Sequence, residues 1–269
     1  MVADALTPAL DGVLAAWAAR VRVNREQVGR FREVDDGDFY APVASDFRYQ
    51  PEQADEVVLG SLEALMKPGE ELLDIGCGGG RYALPLATRA GRVIGLDPSP
   101  AMLATFRAGI AERHATNVEL VEARWPMPEP PRADVALIAN VAYDIEEIGP
   151  FLDAMERASR RLCLAVLLEL PPPHAVDALW LAIHGEERAS LPALAEFVAL
   201  QLARGRLCEV RLFGRPAAPM HPEALLARAR RMLWLREGSE KDRALVALLT
   251  HERPQPRSLR VGIVSWFTV

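Results

Sequence analysis

The sequence predicts an α/β fold on a doubly wound, mostly parallel sheet, and three observations carry that prediction. An apolar segment, Glu71 to Ile75, breaks into a glycine-rich turn at Gly76. Further apolar segments recur at about 92–96, 117–121, 134–139 and 161–169. Helical patterns lie between them, the alternation expected of parallel strands joined by crossover helices. The chain has 269 residues, 50% of them hydrophobic, enough for one large α/β domain carrying a cap.

The elements follow in order. Leu10, Val13, Leu14, Trp17 and Val21 recur at helical spacing and predict an amphipathic N-terminal helix. A polar, aromatic connector with Phe31, Phe39, Tyr40, Phe47 and Tyr49 comes next. Residues 1–50 therefore read as a helix and lid, and 51–269 as the main domain. After the first strand, glycines at 76, 78 and 80 let the backbone turn sharply and lie against a ligand. A helix is expected from Tyr82 to about Ala90. The second strand ends at Asp97, where Ser99 as N-cap and Pro100 at N1 open the helix Ala101 to Phe106. Leu207 to Phe213 reads as a sixth strand and Val261 to Phe267 as a seventh.

A glycine turn between a strand and a helix belongs to a nucleotide-binding unit, and its details select the nucleotide. A dinucleotide fingerprint requires a third glycine where this chain has Arg81, and no Gly-Lys-Ser/Thr tripeptide occurs. Asp74, two residues before Gly76, would repel a pyrophosphate. It favours an ammonium or sulfonium instead. Asp97 stands 23 residues beyond Asp74 at the tip of the second strand, where a carboxylate can accept both ribose hydroxyls. The turn suits a nucleoside that carries positive charge and no phosphate.

At these residues the chain resembles the class I S-adenosylmethionine-dependent methyltransferases, particularly their small-molecule, type 11 branch. The resemblance covers roughly Pro68 to Leu170. It rests on Leu-Leu-Asp-Ile-Gly-Cys-Gly-Gly-Gly, Val-Ile-Gly-Leu-Asp-Pro-Ser-Pro-Ala-Met-Leu and Ala-Asp-Val-Ala-Leu-Ile-Ala-Asn-Val. It implies a Rossmann-like sheet of seven strands, the last antiparallel, with a helical N-terminal lid and helical insertions. It implies S-adenosyl-L-methionine as cofactor, with Asp74, Gly76, Cys77, Gly78 and Gly80 facing the methionine part. By the same resemblance Asp97 and Pro98 meet the ribose and Met102 the adenine, while Asn140 lies near the methionine end and the substrate entrance. The family usually has an acid after the third strand for the adenine amino group, but here Arg124 holds that place. Arginine has no acceptor, so backbone groups of Ala123 and Arg124, or the face of Trp125, are the alternatives.

Substrate specificity is expected in cap segments near 171–205 and 221–251, outside the nucleotide core. Methyl transfer needs alignment of the acceptor and exclusion of water, and an amine or hydroxyl acceptor can also need a base. Tyr40, Tyr143, Asp144 and His184 are the candidates, each weighed against a packing role. Three cysteines without a C-x-x-C pair fit a reducing compartment, and no secretory signal is visible, so the expected location is cytoplasmic. No apolar run is long enough to span a membrane. Scattered histidines show no metal-ligand spacing, so no metal is expected. The net charge of −6 argues against nucleic acid and for a small-molecule acceptor. An arginine cluster at 228, 230, 231 and 236 keeps an RNA or protein methyltransferase as the alternative. Arg124 keeps a non-catalytic cofactor-binding module, and a nicotinamide enzyme is disfavoured by Asp74 and Arg81.

Overall fold

The computed structural model describes residues 9–34, 37, 41, 44, 47–49, 56–216, 221–251 and 258–268. Seven strands form one sheet: β1 (Glu71–Ile75), β2 (Arg92–Asp97), β3 (Val118–Glu122), β4 (Ala133–Ala139), β5 (Ser159–Leu168), β6 (Cys208–Arg215) and β7 (Leu259–Phe267). Their order is β3-β2-β1-β4-β5-β7-β6. β1 to β5 pair in parallel, and β7 runs antiparallel between β5 and β6. The seven-stranded expectation and its antiparallel last strand are both met, but that strand, expected at the edge, lies between β5 and β6, which leaves β6 at the edge.

The chain leaves β1 outward through β2 and β3, then crosses back to β4 on the other side of β1. Open sheets bind ligands outside the carboxyl ends of the strands at such a reversal. β1 and β2 are almost wholly buried, as expected of central strands covered by helices on both faces.

On one face lie α1 (Leu10–Phe31), α5 (Ile148–Ala158) and α7 (Leu194–Ala203). They bury Trp17, Phe151, Phe197 and Trp266 against Ile75, Ile94 and Ile138. On the other lie α2 (Glu56–Leu65), α3 (Ala83–Leu86) and α4 (Pro100–Arg113), burying Leu62, Leu84 and Phe106 against Leu72, Val93 and Leu137. A third cluster, with Trp180, Leu233 and Leu245, sits in a cap of α6 (Asp177–His184), α8 (Pro222–Met232) and α9 (Glu240–His251).

One helix differs from expectation. α3 ends at Leu86 rather than near Ala90, and the chain continues in tighter turns, with Arg89 N–H donating to Leu86 O at 3.0 Å. α4 begins as the sequence predicts: Ser99 Oγ accepts from Met102 N–H at 3.1 Å, with Pro100 in the first turn. It runs on to Arg113, where His114 in a left-handed conformation closes it.

Candidate functional site

The glycine turn is held by its neighbours before any ligand is considered. Gly76 and Cys77 N–H both donate to Leu96 O, at 2.7 and 3.0 Å, fastening the turn to the end of β2. Gly76, Gly78 and Gly80 all have positive φ. A Cβ on Gly76 would come within 2.6 Å of the Val141 side chain, and one on Gly80 within 2.4 Å of the Phe106 ring. Those two glycines are required by packing. A Cβ on Gly78 would meet only Met102 Sδ, at 3.7 Å, so Gly78 faces open space. That open position is where backbone can approach a ligand.

Two carboxylates flank the turn. Asp97 is buried, and its oxygens accept Gly78 N–H at 2.9 Å and Ser99 N–H at 2.8 Å. These bonds aim it at the mouth of the turn and tie Gly78 to β2. Asp74 is 2% exposed, and its buried Oδ1 accepts no hydrogen bond from the described residues. Burial, reinforced by the charge of Asp97, pushes its carboxyl up to about 8. A buried acceptor without a donor is costly, and a cationic donor is the group that would relieve it. The residues therefore fit a ligand with an ammonium or sulfonium and a ribose.

Met102, in the first turn of α4, is buried beside Gly78, and Pro98 is exposed between Asp97 and Ser99. The Cys77 side chain points the other way: a Cβ on Gly95 would lie 3.0 Å from its Sγ. Burial, with the charges of Asp74 and Asp97, raises the Cys77 thiol well above its usual range, so it stays protonated. Trp125 is buried in the core, its Nε1–H donating to Phe151 O at 3.2 Å and its ring edge-on to Phe151. It packs under the turn after β3. Arg124 is exposed.

Beyond β4, Asn140 has a φ of 58°, and Tyr143 lies buried just after it. The Tyr143 hydroxyl donates to Asn140 Oδ1 at 3.0 Å and accepts Leu168 N–H at 2.7 Å. Burial pushes its ionisation well above the usual tyrosine value, so it is a poor base. Asp144 is exposed. His184 stands in the cap between Trp180 and Phe31, at ring distances of 4.3 and 4.6 Å. Its Nε2 is 3.2 Å from Leu233 O and its Nδ1 3.4 Å from Lys241 Nζ. Burial, with Lys241 beside it, lowers its protonation below the usual histidine value. These partners belong to α1 and the cap, not to the glycine turn. Tyr40 lies outside the described residues.

Residues 47–49, read from the sequence only as part of a lid connector, lie against the turn. Arg48 bridges to Gly80, and a Cβ on Gly79 would fall 2.5 Å from Phe47 O. Arg48 pairs with Glu112, and the Arg113 guanidinium sits 4.4 Å from the Tyr49 ring. The partners are far apart in sequence, so no local pattern announces them. Among the described residues no His, Cys, Asp and Glu cluster can hold a metal, and no helix is long and apolar enough to cross a membrane.

Known proteins resemble this chain in sequence and in fold. Over 112 residues the chain is 31% identical to a probable cobalt-precorrin-6B C(15)-methyltransferase (decarboxylating) of Methanothermobacter thermautotrophicus. That match spans 39% of this chain and 58% of that protein, little more than half its length. The fold is similar to that of the YcgJ protein of Bacillus subtilis, with a TM-score of 0.57 at 16% identity over 79% of this chain and 98% of that one. It is also similar to magnesium protoporphyrin IX methyltransferase of Synechocystis with bound S-adenosylhomocysteine, with a TM-score of 0.53 at 16% identity over 81% and 82%. Residues 72–162, from β1 into β5, match the family model described as a methyltransferase domain. Residues 72–162 thus resemble a methyltransferase domain, and the chain shares its fold with these two solved structures.

Proposed function

We propose that this protein transfers a methyl group from S-adenosylmethionine to a small-molecule acceptor. The observation that carries the reading is Asp74, a buried carboxylate with an unpartnered oxygen at the base of the glycine turn. S-adenosylmethionine supplies a methyl already activated on a sulfonium. The chain then has to bind, orient and exclude water. Asp97, held by two backbone N–H groups, receives the ribose. Gly78 lets the backbone come close, and Met102 forms the adjoining wall.

A small acceptor is supported by the acidic net charge and by the pairing of part of the arginine cluster within the cap. Arg230 is engaged by Asp242 at 2.7 Å rather than presented to a polyanion. The curated relative described above is named for a small-molecule reaction, which points the same way. Cytoplasmic location belongs to the same proposal. The test is calorimetric titration with S-adenosylhomocysteine, with NADH as control, followed by a screen of small acceptors with labelled cofactor. Micromolar binding of the first alone is expected; binding of NADH would overturn the reading. Asp97→Ala should weaken S-adenosylhomocysteine binding by ~1–3 kcal/mol, and unchanged affinity would remove the ribose assignment.

A further inference from the structure

The amide of Asn140 is held in one orientation. Tyr143 has one O–H to donate, and its oxygen already accepts Leu168 N–H at 2.7 Å. With Asn140 Oδ1 at 3.0 Å, that O–H has an acceptor. Flipping the amide would set an NH2 against the hydroxyl and take away the acceptor that the O–H of this buried tyrosine has in the structure. The amide oxygen therefore faces Tyr143, and the amide nitrogen faces away from it.

That nitrogen has no hydrogen-bond partner among the described residues, and Asn140 is half-buried. Its place is set by the next residue: Val141 packs so tightly on Gly76 that a Cβ there would lie 2.6 Å away. β4 also pairs directly with β1, with Ile138 opposite Ile75. The turn thus has a donor without a partner on its β4 side and, in Asp74, an acceptor without a donor at its base. An amino-acid zwitterion needs that pair of opposite groups.

We infer that Tyr143 is a positioning residue that holds the Asn140 amide as a hydrogen-bond donor to the carboxylate of the cofactor's amino-acid end, while Asp74 takes its ammonium. This rests on the function proposed above. It also gives Asn140 a polarity: with its oxygen bound to Tyr143, its amide nitrogen is the group left to donate. Tyr143 acts through Asn140 and stays protonated.

Two ligands separate this role from a structural one. S-adenosylhomocysteine carries both charges; S-adenosyl-3-thiopropylamine keeps the ammonium and lacks only the carboxylate. Asn140→Asp preserves an acceptor for Tyr143 and replaces the donor with an oxygen. It should weaken S-adenosylhomocysteine at least about tenfold and leave the amine no weaker. Tyr143→Phe should show the same selectivity with a smaller factor, because the freed amide samples both orientations. If Tyr143→Phe fails to fold, Asn140→Asp decides alone. Equal losses on both ligands, or no loss on either, would overturn the inference. Wild-type protein that binds neither ligand would overturn the cofactor assignment itself and this inference with it.

Discussion

Asp74 and Asp242 are both buried carboxylates, and the molecule treats them in opposite ways. Asp242, on α9 in the cap, is 3% exposed and fully engaged. It accepts Arg230 Nε at 2.7 Å, Arg230 Nη2 at 3.1 Å and Gly238 N–H at 2.7 Å. The Arg230 hydrogen bond, with the backbone donor and nearby charge, holds its carboxyl below the usual range. Asp74 is as deeply buried, yet one oxygen has no donor and its carboxyl is pushed up to about 8. A carboxylate that organises a fold brings its cation with it. On the function proposed above, Asp74 is kept for a ligand and waits for the cation to arrive.

The largest expected effect breaks the structural member of the pair. Asp242→Ala removes the acceptor of Gly238 N–H, leaves Arg230 only Glu237 at 3.3 Å, and should cost about 3 kcal/mol in urea unfolding at neutral pH. Affinity for S-adenosylhomocysteine should be little changed, and a coupled loss would mean that the cap and the turn are not energetically separate.

Asp74→Asn should do the reverse. Because the folded carboxyl titrates above its unfolded value, its stabilising contribution is complete in acid and is lost as pH rises toward about 8. The variant should therefore exceed wild type by on the order of 2 kcal/mol above that pH, with the difference vanishing in acid. Denaturant midpoints across pH check this, and a less stable variant at alkaline pH would refute it. Asp242 has the opposite sign: its contribution fades only in acid, below the ordinary aspartate range.

A smaller effect concerns binding. Wild-type affinity for S-adenosylhomocysteine should rise as pH climbs toward about 8, since Asp74 must release its proton to meet the ammonium. Calorimetry in buffers of different ionisation enthalpy should show that proton leaving, and Asp74→Asn should abolish both the slope and the release. The smallest effect is on the midpoint of that slope. Asp97→Asn should shift it to lower pH, because the Asp97 charge is the second cause, after burial, of the raised Asp74 value.

How much was legible in the sequence follows the same division. The strands, the glycine turn, the Ser99–Pro100 helix start and the two carboxylates at strand tips are local patterns, and the structure has them in place. Asp242 carried no such signal, since its role exists only once α8 and α9 fold back on each other. His184 looked like a candidate base from its segment, but the same fold-back sets it among Trp180, Phe31 and Lys241. Trp125 was ambiguous because its position after β3 fits either a ligand wall or the core, and only the hydrogen bond to Phe151 O identifies its surroundings. The glycines divide likewise: the motif names all of them, but only tertiary packing separates Gly76 and Gly80 from the open Gly78.

The first helix has a consequence for the order in which the chain assembles. The side-chain hydrogen bonds that α1 makes across the molecule end far downstream. Trp17 Nε1 donates to Ile145 O at 2.8 Å, Arg22 and Arg25 hold Glu146, and Gln27 meets Glu187 O and Ala189 N–H at 2.7 Å. During synthesis these partners emerge on the order of ten seconds after the helix itself. Over that interval its apolar stripe, Trp17 and Val21 included, lacks the part of its native cover that α5 and α7 supply. α1 is made well before the partners it docks on, so slowing translation between α1 and the cap prolongs the exposure of that stripe.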